Sequence, residues 1–183
     1  MSKEMTTPRT SPTLRDPIAE ARRQWVAHGW DEAAPGMAAV TTITRVQQIL
    51  GSRVEEALAP FGLTFARFEI LRLLGFSRNG SLPMGKISDR LQVHPASVTS
   101  AVKRLEREGL IERVTDDDDN RVVLAVLLAK GRELLEPATA SVNEVFVTLG
   151  LPTRQLETLV GMLDPIRRAA GDEVAPRTYS IDD

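Results

Sequence analysis

Three hydroxyls and two cations, Ser97, Thr99, Ser100, Lys103 and Arg104, fall within one short stretch of the chain. Long cations hydrogen-bond phosphate oxygens or guanine edges, and hydroxyls bond either bases or phosphates. The same set also describes an ordinary solvated helix face. His94 stands just before it, either as a cap-like turn residue or as a further phosphate ligand, and Arg121 lies beyond it in a second polar stretch. The elements that carry these residues decide between the two readings.

Val98, Val102 and Leu105 recur at helical spacing, while Ser100, Lys103 and Arg107 fall together on the opposite side. One face packs and the other is free. Ile87 and Leu91 mark a shorter helix before it, and Gln92-Val93-His94 leaves only a tight turn ahead of Pro95, a residue suited to a first helical position. Two short helices joined this way read as helix-turn-helix. Lys86 and Arg90 belong to the first of them, where ordinary surface charge is the first reading and phosphate contact the second. The second helix stops at Gly109, which tolerates the left-handed conformation of a helix end. Leu110 to Val114 and Val122 to Leu128 then supply two extended runs around a polar tip, Asp116 to Asn120. A β-hairpin directly behind a recognition-type helix makes a winged helix-turn-helix, so the expected fold is mainly α with a small β-hairpin wing. Its helix fits a major groove and its arm reaches the backbone or the neighbouring minor groove, with Arg121 the cation best placed to do so. His94, Ser97, Thr99, Ser100, Lys103, Arg104 and Arg121 become the DNA-binding candidates.

The string from Leu63 to Gly131 resembles the MarR family of bacterial transcriptional regulators. The resemblance rests on Leu63-Thr64, Ile70-Leu71 and Leu74, then Val93, Ala96-Ser97-Val98-Thr99, Val102, Arg104-Leu105-Glu106 and Gly109-Leu110-Ile111-Glu112-Arg113, then Asp116, Asp119-Asn120-Arg121, Leu127 and Gly131. The family's wing usually reads Asp-Pro-x-Asp-Arg-Arg and closes with Leu-Thr. This chain has Asp117 for the Pro, Asn120 for the first Arg and Leu128 for the Thr. The resemblance implies a homodimer and a ligand-responsive regulator, of which repression is the expected mode. A urate-responsive branch of the family carries an added N-terminal helix with a Trp, together with an acid and two arginines. The chain has such a helix with Trp25 (or Trp30), Glu69 at the acid and Arg113 at the second arginine, but Ala101 where the other arginine stands. Trp25, Glu69 and Arg113 are therefore the candidate contacts for a small aromatic or planar anionic effector.

The whole chain sets bounds on these readings. At 183 residues it is long enough for one domain with helical extensions. Its formal charge of -2 does not advertise nucleic acid, yet from Pro95 to Arg107 three cations face one carboxylate, a local net charge of +2. DNA binding needs such a local footprint rather than a basic whole. The absence of cysteine excludes disulfides, thiolate metal sites and thiol-based sensing. No apolar run approaches the roughly 18 residues of a membrane helix and no signal peptide pattern opens the chain, so a cytoplasmic location without membrane contact is expected.

Taken in order, residues 1–15 are expected to be a disordered tail and 16–30 an added helix, started by Asp16-Pro17 and carrying Ile18, Ala21, Arg22 and Trp25 on one face. That Trp either packs on the body or walls a ligand pocket. Residues 37–60 are expected as a dimerisation helix, with Val40, Ile43, Val46, Leu50, Val54 and Leu58 at helical intervals. Residues 61–130 form the DNA-binding lobe, with Phe65, Phe68, Leu71 and Leu74 directed to its core. Residues 131–170 supply two more dimerisation helices, the first kinked at Pro137, and 171–183 a flexible tail. Apolar stripes at both ends, with no sheet to cover them, call for a two-fold partner. Such a dimer reads a pseudo-palindrome with half-sites about 10 bp apart or a multiple of that.

The acidic run Asp116 to Asp119 lacks the alternate-oxygen spacing, glycine and distant glutamate of a calcium loop. It reads better as a hairpin tip in which Asp116 or Asp119 orients Arg121 or Arg113. No cofactor is expected. The chain has no thiol, no G-x-S-x-G, no P-loop and no H-E-x-x-H, so an enzyme is not expected either. Met37, Met84 and Met162 read as core or interface fillers. The alternative to a sequence-specific regulator is an architectural or non-specific DNA-binding protein without an effector, which would show salt dependence but no preferred site.

Overall fold

A computed structural model describes residues 16–91, 95–116 and 119–175. The expected N-terminal tail, the turn Gln92-Val93-His94, Asp117 and Asp118 of the polar tip, and the tail from residue 176 onward lie outside the described residues. The chain divides into two units, Met1–Phe65 and Ala66–Asp183.

In the first unit, α1 (Pro17–Ala27) starts where Asp16 accepts a hydrogen bond from the Ile18 amide at 2.9 Å, with Pro17 opening the first turn. It packs on α2 (Ala34–Leu58). Trp25 meets Trp30 edge-on at 5.4 Å, and the His28 ring stacks on Trp30 at 5.6 Å. Ala34, Val54 and Leu58 of α2 are buried, whereas Val40, Ile43, Val46 and Ile49 remain exposed. Pro60 lies in a short 3-10 turn, Ala59–Phe61, that ends the long helix. Glu55 then accepts from the Phe65 amide at 3.1 Å, satisfying one of the donors that open α3 (Phe65–Phe76).

The second unit takes up α3 at Ala66 and continues through β1 (Ser81–Pro83), α4 (Met84–Leu91), α5 (Pro95–Arg107), β2 (Ile111–Thr115), β3 (Val123–Leu127), α6 (Ala129–Val147) and α7 (Thr153–Ala169). Phe68, Ile70, Leu71 and Leu74 of α3 share its core with Ile87 of α4, with Val98, Val102 and Leu105 of α5, and with Leu135, Ala138 and Val142 of α6. The apolar positions set by the 3.6-residue period are the buried sides of these helices.

The expected hairpin is two strands of a three-stranded antiparallel sheet ordered β1-β3-β2. Leu82 pairs with Ala125 and Ile111 with Leu127. The segment Leu82-Pro83, read only as an extended entry, is this third strand; its three residues are too few for a period to show, and its partner lies more than forty positions away in sequence. Gly131 lets α6 approach the α5–β2 link closely, since a Cβ there would sit 2.3 Å from the Leu110 carbonyl oxygen. α6 is continuous through Pro137, which is exposed, and α7 through Pro165. No helix among the described residues is long and apolar enough to cross a membrane.

Candidate nucleic-acid interface

The alternation read in α5 is realised. Val98, Val102 and Leu105 are buried, and Ser97, Thr99, Ser100, Lys103, Arg104 and Arg107 are exposed. Packing of the apolar stripe against α4 and β2 leaves the cationic side no place but the surface. Gly109 ends the helix at φ 69°, and Lys130 Nζ donates to the Glu108 carbonyl at 2.8 Å, supplying a cation to the helix C-terminus.

Between α5 and β2 runs an open groove of about 320 Å³ lined by Ser100, Lys103, Glu106, Arg107 and Arg113. Arg113 grips Glu106 through Nη2 at 2.7 Å and Nε at 3.0 Å, and this hydrogen-bonded guanidinium holds the Glu106 carboxyl below the usual glutamate range. Lys103 and Arg107 make no ion pair among the described residues. The groove therefore presents two cations that an external anion can claim.

At the wing, Val122 donates to Asp119 O at 2.8 Å and Asp116 to Val122 O at 2.9 Å, closing the tip. Asp119 accepts from both the Arg121 amide at 3.0 Å and the Arg121 Nε at 3.1 Å. These bonds hold the Asp119 carboxyl below the ordinary aspartate range. Asp119 is thus the carboxylate that orients Arg121, while the partner of Arg113 is Glu106 rather than a wing aspartate. Arg121 itself is 91% exposed, an outstretched cation fixed at its base.

The candidate effector contacts are spread over the chain. Trp25 belongs to the first unit, half-buried, with its edge against Trp30. Glu69 is half-buried on α3, and burial pushes its carboxyl pKa up. The structure does not pair Glu69 with Arg113, which is engaged by Glu106. No group of three or more candidate metal ligands occurs among the described residues.

Three acidic or basic positions were missed by sequence reasoning, Glu106, Glu108 and Arg67. Glu108 follows Arg104 by four residues, a helical pairing distance that was there to be read. Arg67 gave no signal, standing among apolar neighbours yet only 5% exposed.

A recognition helix with an exposed cationic face, followed by a β2–β3 wing with an arginine at its tip, defines a winged helix-turn-helix DNA-binding protein. The sequence profile of the MarR family matches residues 63–123. The HTH-type transcriptional repressor Rv2887 of Mycobacterium tuberculosis (strain ATCC 25618 / H37Rv) is 33% identical over 99 residues, 54% of this chain and 70% of that protein. Sco5413, a MarR family transcriptional regulator from Streptomyces coelicolor, is 45% identical in a structural match covering 77% of this chain and 99% of that one, with a TM-score of 0.68. CouR from Rhodococcus jostii RHA1, whose structure was solved bound to p-coumaroyl-CoA, is 25% identical with a TM-score of 0.59, over 74% of this chain and 93% of that one. The chain belongs to the MarR family and is a DNA-binding transcriptional regulator.

Proposed function

We propose that this regulator is a repressor that binds a pseudo-palindromic operator as a homodimer and leaves it when a small aromatic or planar anion binds. The observation that carries the reading is the face of α5. Its apolar side is wholly committed to the core while Ser97, Thr99, Ser100, Lys103 and Arg104 stay at the surface, beside a groove with two cations that have no ion-pair partner among the described residues. Arg121, steered by Asp119, extends the same footprint through the wing. The repressor mode is supported by similarity to Rv2887, and effector response by similarity to CouR, which binds an aromatic acyl thioester.

Self-association is supported by apolar surface that no described element covers. Val40, Ile43 and Val46 on α2, and Val160, Met162 and Ile166 on α7, are each more than two-fifths exposed. A second copy covers these faces and supplies the second recognition helix that a two-fold operator requires.

Gel shift against the intergenic duplex upstream of the chain's own gene tests the reading, with footprinting to separate a preferred site from uniform coating. Uniform coating would make the protein an architectural DNA binder. Effector response is then a population shift: a ligand releases operator only to the extent that it prefers the DNA-incompetent state. Thermal-shift screening of aromatic acids, acyl thioesters and purines identifies the class, because binding to the native state raises the melting point. Trp25, Glu69 and Arg113 are then substituted singly to find which of them the hit requires.

A further inference from the structure

The end of α5 carries a charge cluster that packing alone does not require. The Glu108 carboxylate accepts from Arg67 Nη1 at 3.1 Å and 2.9 Å, one contact to each oxygen, and from Arg104 Nε at 3.0 Å. The Arg67 side chain is 6% exposed and that of Arg104 59%. One carboxylate thus joins a buried arginine on α3 to an exposed arginine on the recognition helix. Arg104 spends its Nε on this contact, and its two terminal nitrogens make no hydrogen bond among the described residues.

A carboxylate here is costly for a polyanion-binding face, since it lowers the local positive potential. What it supplies instead is orientation. A free arginine loses rotamer freedom when it binds, and a guanidinium already held at Nε loses less of it while its terminal fork stays available for a base edge. We propose that Glu108, anchored on buried Arg67, is a positioning residue for DNA recognition: it holds Arg104 in one orientation so that the fork reads a single base pair. The inference rests on the reading that the α5 face binds duplex DNA.

Simple alternatives differ in sign. A purely electrostatic Glu108 would, on neutralisation, raise affinity for every duplex alike. A purely structural one would alter the melting temperature and leave the preference among sequences unchanged. Positioning instead couples Glu108 to Arg104 and to one base pair.

The experiment uses the full chain. Duplexes are first selected by it from a random pool, and binding is then measured to the selected consensus and to a scrambled duplex of the same length. Glu108→Gln is expected to lower the preference for consensus over scrambled duplex about tenfold, with the loss confined to one base pair, the size expected for one bidentate base contact. Affinity for the scrambled duplex stays the same or rises. Arg104→Ala costs a similar factor alone and little more when added to Glu108→Gln, because the two substitutions remove one interaction. Full preference retained in Glu108→Gln, or equal changes on both duplexes, overturns the proposal. Should Glu108→Gln fail to fold, Glu108→Asp serves instead, since it keeps the charge and leaves the Arg104 fork intact but draws the carboxylate back from Arg104 Nε. The same loss at the same base pair supports the proposal, and an unchanged preference overturns it. A wild-type chain that selects no consensus removes the DNA-recognition reading on which the inference stands, an outcome distinct from the others.

Discussion

Asp119 and Arg121 show how a wing departing from its family's usual sequence still presents a directed cation. With Asn120 where an arginine is usual, Arg121 is the tip's described cation, and two bonds from its own amide and Nε to Asp119 fix its base. Arg121→Ala is expected to weaken binding on all duplexes and to reduce the slope of log affinity against log salt by about one, with the melting temperature unchanged. A titration over salt concentration checks this, and unchanged affinity would remove the wing from the mechanism. Lys103→Ala gives the same uniform loss if Lys103 meets a phosphate, but a loss of roughly 1 to 3 kcal/mol at one position if it meets a base. Glu69 offers a pH test of a different kind. Its raised pKa means that the folded state favours the protonated form, so its stabilising contribution is complete below the ordinary glutamate value and is lost as pH rises through the folded value. Once ionised, the carboxyl is half-buried at a cost. Glu69→Gln is therefore expected to raise the melting temperature near neutral pH, with the gain vanishing on acidification below the usual glutamate range.

At the scale of elements, the position of the recognition helix depends on what holds its back and its C-terminal end. Its back is the Val98, Val102 and Leu105 stripe, and its C-terminal end is held by Gly109, Lys130 and the close seating of α6 at Gly131. Leu128 N donates to Leu110 O at 3.1 Å, so α5, the wing and α6 meet at one backbone junction. A methyl group at Gly131 would meet the Leu110 oxygen at 2.3 Å and Leu127 Cδ1 at 2.7 Å, and the first of these is backbone that cannot rotate aside. Gly131→Ala is expected to cost about 1 to 3 kcal/mol by overpacking, read as a lower urea midpoint with an unchanged denaturant slope. Because the junction also sets the angle between α5 and the wing, operator affinity should fall further than the affinity for non-specific duplex.

At the scale of the whole molecule, the proposed homodimer rests on the exposed valines, isoleucines and methionine of α2 and α7. Met162 is 71% exposed and Ile166 61%, on a helix whose buried side includes Asp164. Scattered apolar residues on a surface are ordinary, but rows at helical spacing are not. Ile166→Glu combined with Met162→Glu is expected to convert a dimer to a monomer in sedimentation velocity while the far-ultraviolet circular dichroism is retained. Operator affinity should then drop steeply, since one recognition helix holds one half-site. A wild-type chain that sediments as a monomer at every concentration would end the two-fold operator argument.

Much of this was legible in the residues themselves because it depends on local periodicity. The spacing of Val98, Val102 and Leu105 specifies which side of a helix packs, and Gly109 and Asp16-Pro17 mark ends whose geometry only certain residues accept. The wing followed from two extended runs about a polar tip, and the family resemblance from matched positions spaced through one stretch, Leu63 to Gly131. The tertiary structure decided what local rules cannot reach. It made Ser81–Pro83 a third strand, because a three-residue strand carries no period and is defined only by its partner. It gave Arg113 to Glu106 and Arg121 to Asp119, where the sequence offers Asp116 or Asp119 for either arginine. It also brought Arg67 to Glu108 across forty-one positions and so joined α3 to the recognition helix. An ion pair between distant segments leaves no periodic trace, since its members need to meet only once, in the folded chain.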